Sequence, residues 1–158
     1  MKSSSPNGAI RSPLPKFTPP QLATLVDEAP RGDGWLHEVK LDGYRLLARI
    51  DGSRIRLLTR RGNDWTSKFE PLVKALGMLK LRSAMLDGEV VHLMPDGTSS
   101  FGGIQKDLSE ERPERLTYFL FDILALDGYL LTGCTLQDRK RALEQIVTRA
   151  PKGPTITS

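Results

Sequence analysis

Between positions 44 and 50 the chain alternates: Tyr44, Leu46, Ala48 and Ile50 fall on one side of an extended segment, Arg45, Leu47 and Arg49 on the other. Asp51-Gly52 follows, and both residue types tolerate positive φ, so a hairpin turn is expected, with 55–59 as the returning strand. Apolar runs at 84–93 and 116–124 predict two more strands, and 35–40 another, entered from the Gly32-Asp33-Gly34 turn. The period changes at 69–79, where Leu72, Val73, Leu76 and Leu79 stand at helical spacing. Thr135 and Asp138 give a capping-box signal, and Leu136, Leu143, Ile146 and Val147 share one face of the helix it opens, which runs to Arg149. Residues 21–26 predict a helical turn or two, and Thr155-Ile156 the start of a strand. The class is α+β, antiparallel strands with helices laid on them.

A chain of 158 residues is enough for one domain with a sizeable core. Residues 1–18, rich in Ser and Pro, read as a flexible lead-in, which leaves 19–158 as the folded domain. The 39% hydrophobic and 27% charged content argues against wholesale disorder. No apolar run approaches the roughly 18 residues of a membrane span, and the N-terminus lacks a secretory pattern. A protein of the cell interior, with no membrane partner, is the expectation. Cys134 is the single cysteine, so no internal disulfide can form. With His37 and His92 it offers too few ligands for a nitrogen-and-sulfur zinc site; a metal here would be a hard cation held by oxygens.

The net charge of +4 leans toward an anionic partner. Arg45, Arg49, Arg54, Arg56, Arg60 and Arg61 crowd one stretch, opposed there only by Asp51. A solvated strand face would account for them. The absence of lysine from the stretch points instead to phosphate, whose oxygens match the planar guanidinium fork.

Lys40-Leu41-Asp42-Gly43-Tyr44-Arg45 is the most informative segment. A lysine at the end of an apolar strand, before a tight Asp-Gly turn, would be held rigidly and partly desolvated. Burial and nearby arginines both favour the neutral, nucleophilic amine. Arg45 would then sit close enough to bind an attacked phosphate. Four such fixed residues coincide by chance on the order of once in 10⁵ positions. Asp87 and Glu89, two apart in a strand, project their carboxylates to one face, where they repel unless a cation, an arginine or water intervenes. A bound Mg²⁺, the arginine cluster or plain solvent would each relieve this.

The Lys40 segment resembles the K-x-D-G-x-R motif of the covalent nucleotidyltransferases, the ATP-dependent ligases and mRNA capping enzymes. Gly34-Trp35-Leu36-His37-Glu38-Val39-Lys40 and Thr59-Arg60-Arg61-Gly62-Asn63-Asp64-Trp65-Thr66 are similar to the ligase domain of bacterial ligase D, an end-joining enzyme. The likeness runs colinearly from Lys16 to the last residues. It implies the first part of the ATP-grasp-like nucleotidyltransferase domain, with ATP bound between its sheets against Lys40, Glu89 and Phe121. It also implies a reaction: Lys40 attacks the α-phosphate of ATP, releases pyrophosphate and keeps AMP as a phosphoramidate. The AMP passes to a 5′-phosphate at a DNA nick, and the 3′-hydroxyl displaces it.

By the same resemblance Glu38 reads the adenine amino group, and Arg60 contacts the AMP ribose and the DNA end. Arg61 joins Arg45 and Arg60 on DNA. Asp87 and Glu89, in Leu86-Asp87-Gly88-Glu89-Val90-Val91, contact ribose or a divalent cation, Mg²⁺ or Mn²⁺. Phe121, in Tyr118-Phe119-Leu120-Phe121-Asp122-Ile123-Leu124, stacks on the purine, although by periodicity alone it would be a core aromatic. Phe101-Gly102-Gly103-Ile104-Gln105 matches a loop-helix given no catalytic role, and His37 and His92 read as strand residues. The implied partners are nicked or broken duplex DNA and the end-joining factor Ku, at a bacterial nucleoid in the cytoplasm.

The family also uses a Glu-Gly motif, a Lys-x-Lys motif and a C-terminal OB-fold domain, which these 158 residues do not contain. The expectation is a truncated ligase, weak or inactive alone, because stabilising the leaving pyrophosphate is a large share of catalysis. Two other readings stay open: an RNA ligase or capping-type enzyme sharing the lysine motif, and a non-catalytic nucleotide- or DNA-binding remnant.

Overall fold

The computed structural model describes residues 6–150 and 156–158. The alternating segment is strand β2 (Tyr44–Asp51), which turns back into β3 (Arg54–Thr59) with Asp51 opposite Arg54 and Gly52 at φ +59°. Helix α1 (Glu70–Met78), with Pro71 in its first turn, leads to β4 (Ser83–His92). Helix α2 (Phe101–Ser109) is capped by the Ser100 hydroxyl, which accepts from the Gly103 amide, and β5 (Leu116–Leu126) follows. A short β6 (Tyr129–Leu130) precedes α3 (Leu136–Val147), whose cap is the predicted Thr135, accepting from the Asp138 amide.

Two more two-residue strands complete the described sheet: β1 (Ile10–Arg11), on the β6 edge, and β7 (Ile156–Thr157). From the Ile10–Arg11 edge the order is β6, β5, β4, β2, β3, antiparallel throughout; only Ile156–Thr157 adds a parallel pair, beside Tyr118 and Phe119. The α+β reading therefore holds, with one sheet among the described residues. Thr155 lies outside them.

One face of the sheet is covered by helices. Leu46, Ala48, Ile50, Leu86 and Ile123 pack with Leu72 and Leu76 of α1, Ile104 of α2, and Leu143 and Ile146 of α3, all essentially buried. Tyr118 is wholly buried in that layer, and its hydroxyl donates to the Leu46 carbonyl at 2.7 Å. Tyr44 is flanked by Trp65 (5.3 Å between centroids) and Phe101 (5.0 Å). Thr66 and Asp64 shape the turn below: the Leu57 amide donates to the Thr66 hydroxyl. His92 ends β4, with its Nδ1 2.5 Å from the buried Asp107 carboxylate.

The opposite face carries a smaller layer of Leu47, Leu58, Met85, Leu124 and Ala125, against which Leu14 and Phe17 fold. Residues 6–18, expected to be a flexible lead-in, are thus tied down. Ile10 pairs with Leu130, the Ser12 amide donates to Gly128, and Arg49 donates to the Pro15 carbonyl.

Two predicted elements are absent. Residues 21–26 form no helix and 35–40 form no strand; His37, expected in that strand, is exposed in irregular chain. A strand exists only through hydrogen bonds to a neighbour, and among the described residues the backbone bond in this stretch is a turn, the Trp35 amide donating to the Gly32 carbonyl. Alternation and apolar content did not supply that neighbour. Among the described residues no helix is long and apolar enough to cross a membrane.

Candidate active site

Strands β2, β4 and β5 bring Arg45, Asp87, Glu89 and Phe121 together. Arg45 donates from Nε (3.1 Å) and Nη2 (2.8 Å) to the two oxygens of Asp87, a bidentate pair in which Asp87 is almost wholly buried. Its Nη1 donates to the Gln21 carbonyl at 2.7 Å, and its guanidinium lies 5.3 Å from the Phe121 ring centre. Arginine is therefore what separates the two carboxylates. The hydrogen bond to Asp87 raises the Arg45 pKa further above its ordinary value.

Glu89 accepts from the Gly43 amide at 3.1 Å. Burial pushes its carboxyl up, while the Gly43 amide, Arg45 and Lys40 pull it back. That contact anchors the turn behind Lys40, as does the Asp42 amide, which donates to the Ser99 hydroxyl at 2.8 Å. Gly43 is required by close approach: a Cβ there would stand 2.1 Å from the Val90 carbonyl oxygen.

A cleft of about 690 Å³ lies between these strands, α3 and the irregular segment before β2; Glu38, Lys40, Arg45, Glu89, Phe121 and Lys140 line it. Five of the residues expected from the sequence are thus brought into one cavity, though its walls are a sheet and a helix rather than two sheets. Lys40 is exposed, not sheltered at the end of a strand, because residues 35–40 have no strand partner. Arg60 and Arg61 are exposed on the turn after β3 and do not line the cleft. Leu46 pairs with Thr59, so that turn lies at the same end of the sheet as Arg45.

Among the described residues no group of three or more His, Cys, Asp or Glu is arranged to hold a metal. Both Asp87 oxygens are taken by Arg45, so of the two expected metal carboxylates Glu89 is the one turned to the cleft.

Helix α3 supplies what the sequence reading missed. Lys140 forms an ion pair with Glu38 across the cleft mouth. Arg139 forms a bidentate pair with Asp122, Nε to Oδ1 at 2.7 Å and Nη2 to Oδ2 at 3.0 Å. A signal existed: Lys140 stands four residues after Leu136 and three before Leu143, on the apolar stripe where a lysine is out of place.

Residues 17–157 match the family described as ATP dependent DNA ligase domain, and the chain belongs to that family. It is 41% identical over 91% of its length to the multifunctional non-homologous end joining protein LigD of Pseudomonas aeruginosa, covering 17% of that protein. Against the LigD of Mycobacterium tuberculosis the figures are 38%, 80% and 16%. The chain therefore spans about a sixth of the length of these two relatives. Its fold superposes on the ligase domain of M. tuberculosis LigD with a TM-score of 0.65 and 34% identity, covering 77% of this chain and 39% of that one. A mycobacterial DNA ligase D complexed with ATP and MES gives a TM-score of 0.59 at 32% identity, covering 77% and 38%. The fold is that of the nucleotidyltransferase domain.

Proposed function

We propose that this chain carries the adenylation chemistry of an ATP-dependent DNA ligase of the ligase D type, with Lys40 as nucleophile. What supports the reading is one observation: Lys40, Glu38, Arg45, Glu89 and Phe121 line a single cleft. Its size is in the range of small-ligand sites. The relative complexed with ATP makes that nucleotide the first candidate.

In this reading Phe121 supports the purine and Glu38 accepts from its amino group. Arg45 has five N–H donors, three of them engaged by Asp87 and Gln21, which leaves two for the α-phosphate. The neutral Lys40 amine forms a bond to the α-phosphorus as the bond to pyrophosphate breaks, and its proton leaves to solvent. The adenylate then moves to the 5′-phosphate of nicked or broken DNA, where Arg60 and Arg61 meet the backbone, and the 3′-hydroxyl displaces AMP. A divalent cation fits at Glu89, since Mg²⁺ takes one or two carboxylates plus substrate phosphates, and it would neutralise charge developing on them. Asp87 serves that site by fixing Arg45. DNA end joining with Ku as partner, in the bacterial cytoplasm, belongs to the same proposal.

The test is incubation with α-labelled ATP and Mg²⁺. Label should remain on denatured protein, compete with unlabelled ATP but not GTP, and vanish in Lys40→Ala. Folded protein that neither binds ATP nor takes up label would refute the reading.

A further inference from the structure

The residue proposed to carry the purine does not sit in a regular strand. Asp87 pairs with Asp122 and Gly88 with Leu120, so Phe121 is the extra residue of a β-bulge in β5. Bulges redirect a side chain, leave the extra residue unpaired and disrupt the ladder locally, so contacts outside the ladder can set their geometry. Here the holder is visible. The Asp122 carboxylate folds back to accept from the Ile123 amide at 2.8 Å and takes both prongs of the Arg139 fork. Arg139 is itself tied to the start of α3, donating from Nη1 to the Cys134 carbonyl at 2.8 Å. Both side chains are sheltered, at 17% and 16% exposure, and the hydrogen bond to Asp122 raises the Arg139 pKa.

Opposite the bulge, Gly88 leaves no room for adjustment: a Cβ would lie 2.3 Å from the Phe119 carbonyl oxygen and 2.7 Å from the Tyr118 ring. β4 and β5 are therefore in close contact beside the bulge, and Asp122, next to Phe121, is held from the other side by Arg139. The same arginine fixes the helix whose next residue, Lys140, meets Glu38 at the cleft mouth.

We propose that Asp122 and Arg139 are positioning residues for nucleotide binding, a clamp that keeps the Phe121 bulge and α3 in register so that the ring is set in advance for the base. This rests on the reading of Phe121 as the purine platform. Neither residue touches substrate. The clamp acts first on the base: Glu89 is held by the Gly43 amide, and Arg45, although it lies over the Phe121 ring, keeps its own bonds to Asp87 and Gln21.

The experiment is a binding series on the full chain with two probes, ATP and inorganic tripolyphosphate, which lacks a base. Asp122→Asn removes the charge. Arg139→Lys keeps the charge and removes the fork. Each should raise the Kd for ATP about tenfold, the scale of one lost charge-assisted hydrogen bond. Affinity for tripolyphosphate should change far less than affinity for ATP, and its retention also shows that the variants are folded. In a Phe121→Ala background, Asp122→Asn should add nothing further, since the platform it holds is gone. Parallel loss of both probes, or an effect that adds in full to Phe121→Ala, would overturn the clamp and leave a merely structural ion pair. If Phe121→Ala itself binds ATP like wild type, the purine reading falls, and the clamp with it. That result differs from failure of the clamp alone.

Discussion

On one side of the cleft, Arg45, Asp87, Glu89 and Phe121 stand on three neighbouring strands, each flanked by others and backed by the helical core. On the other, Lys40 and Glu38 belong to a segment without regular structure whose apolar side chains face solvent: Leu25 is 97% exposed and Val39 85%. Few bonds hold the second wall. The Asp42 and Gly43 amides donate to Ser99 and Glu89, and Glu38 meets Lys140. The surface proposed to bind nucleotide is preorganised, whereas the segment with the proposed nucleophile is placed by tethers at its ends.

The widest separation between the walls should appear in hydrogen exchange. Amides of residues 21–41 lack ladder bonds and should exchange within the earliest measurable times. Those of Leu46–Ile50, buried between β3 and β4, should be protected by a factor approaching that of global unfolding, on the order of 10³ or more. Comparable protection in both would mean that residues 21–41 have a partner that the described contacts do not include.

A second contrast is energetic. Arg45→Ala leaves the Asp87 carboxylate buried without its counter-ion, and removing one member of such a pair costs roughly 3 kcal/mol. Lys40→Ala, in the exposed segment, should change stability by less than about 0.5 kcal/mol. Urea unfolding of both variants measures the difference. A loss below about 1 kcal/mol for Arg45→Ala would show that water reaches Asp87 and that the sheet wall is less closed than its geometry indicates.

This contrast explains what could be read in the sequence. Strand β2, the hairpin at Gly52, helices α1 and α3 and the Thr135 cap were legible because each is fixed by local period or local turn chemistry. The same-face carboxylates Asp87 and Glu89 were legible because a strand alternates; their conflict left a metal ion, an arginine or water open as its relief, and the structure has Arg45 there. Residues 35–40 carry strand-like composition, but pairing depends on a distant neighbour, and composition does not encode whether one is there. Lys140 and Arg139 reach the site only because α3 packs on β5, a tertiary fact. The lysine on an apolar stripe was the trace it left in the sequence. The bulge at Phe121 was invisible, since a two-residue period gives no sign of where the ladder slips.

The smallest effect tests the point where the two walls touch. Glu89 accepts from Gly43, directly behind the Lys40 turn. Burial is the largest influence on its carboxyl and holds it above the ordinary 4.5, against the opposing pull of the Gly43 amide, Arg45 and Lys40. The folded state therefore binds this proton more tightly than the unfolded chain. Its contribution to stability is fully present below the unfolded value and is lost as pH rises through the folded one. Glu89→Gln removes the titration. The stability of Glu89→Gln relative to wild type should be constant in acid, climb as pH passes from the unfolded to the folded value, and level off toward neutrality. Urea midpoints across that range measure it. A difference that falls with rising pH would mean that the amide and the cations outweigh burial, so that Glu89 belongs electrostatically to the Lys40 wall rather than to the sheet.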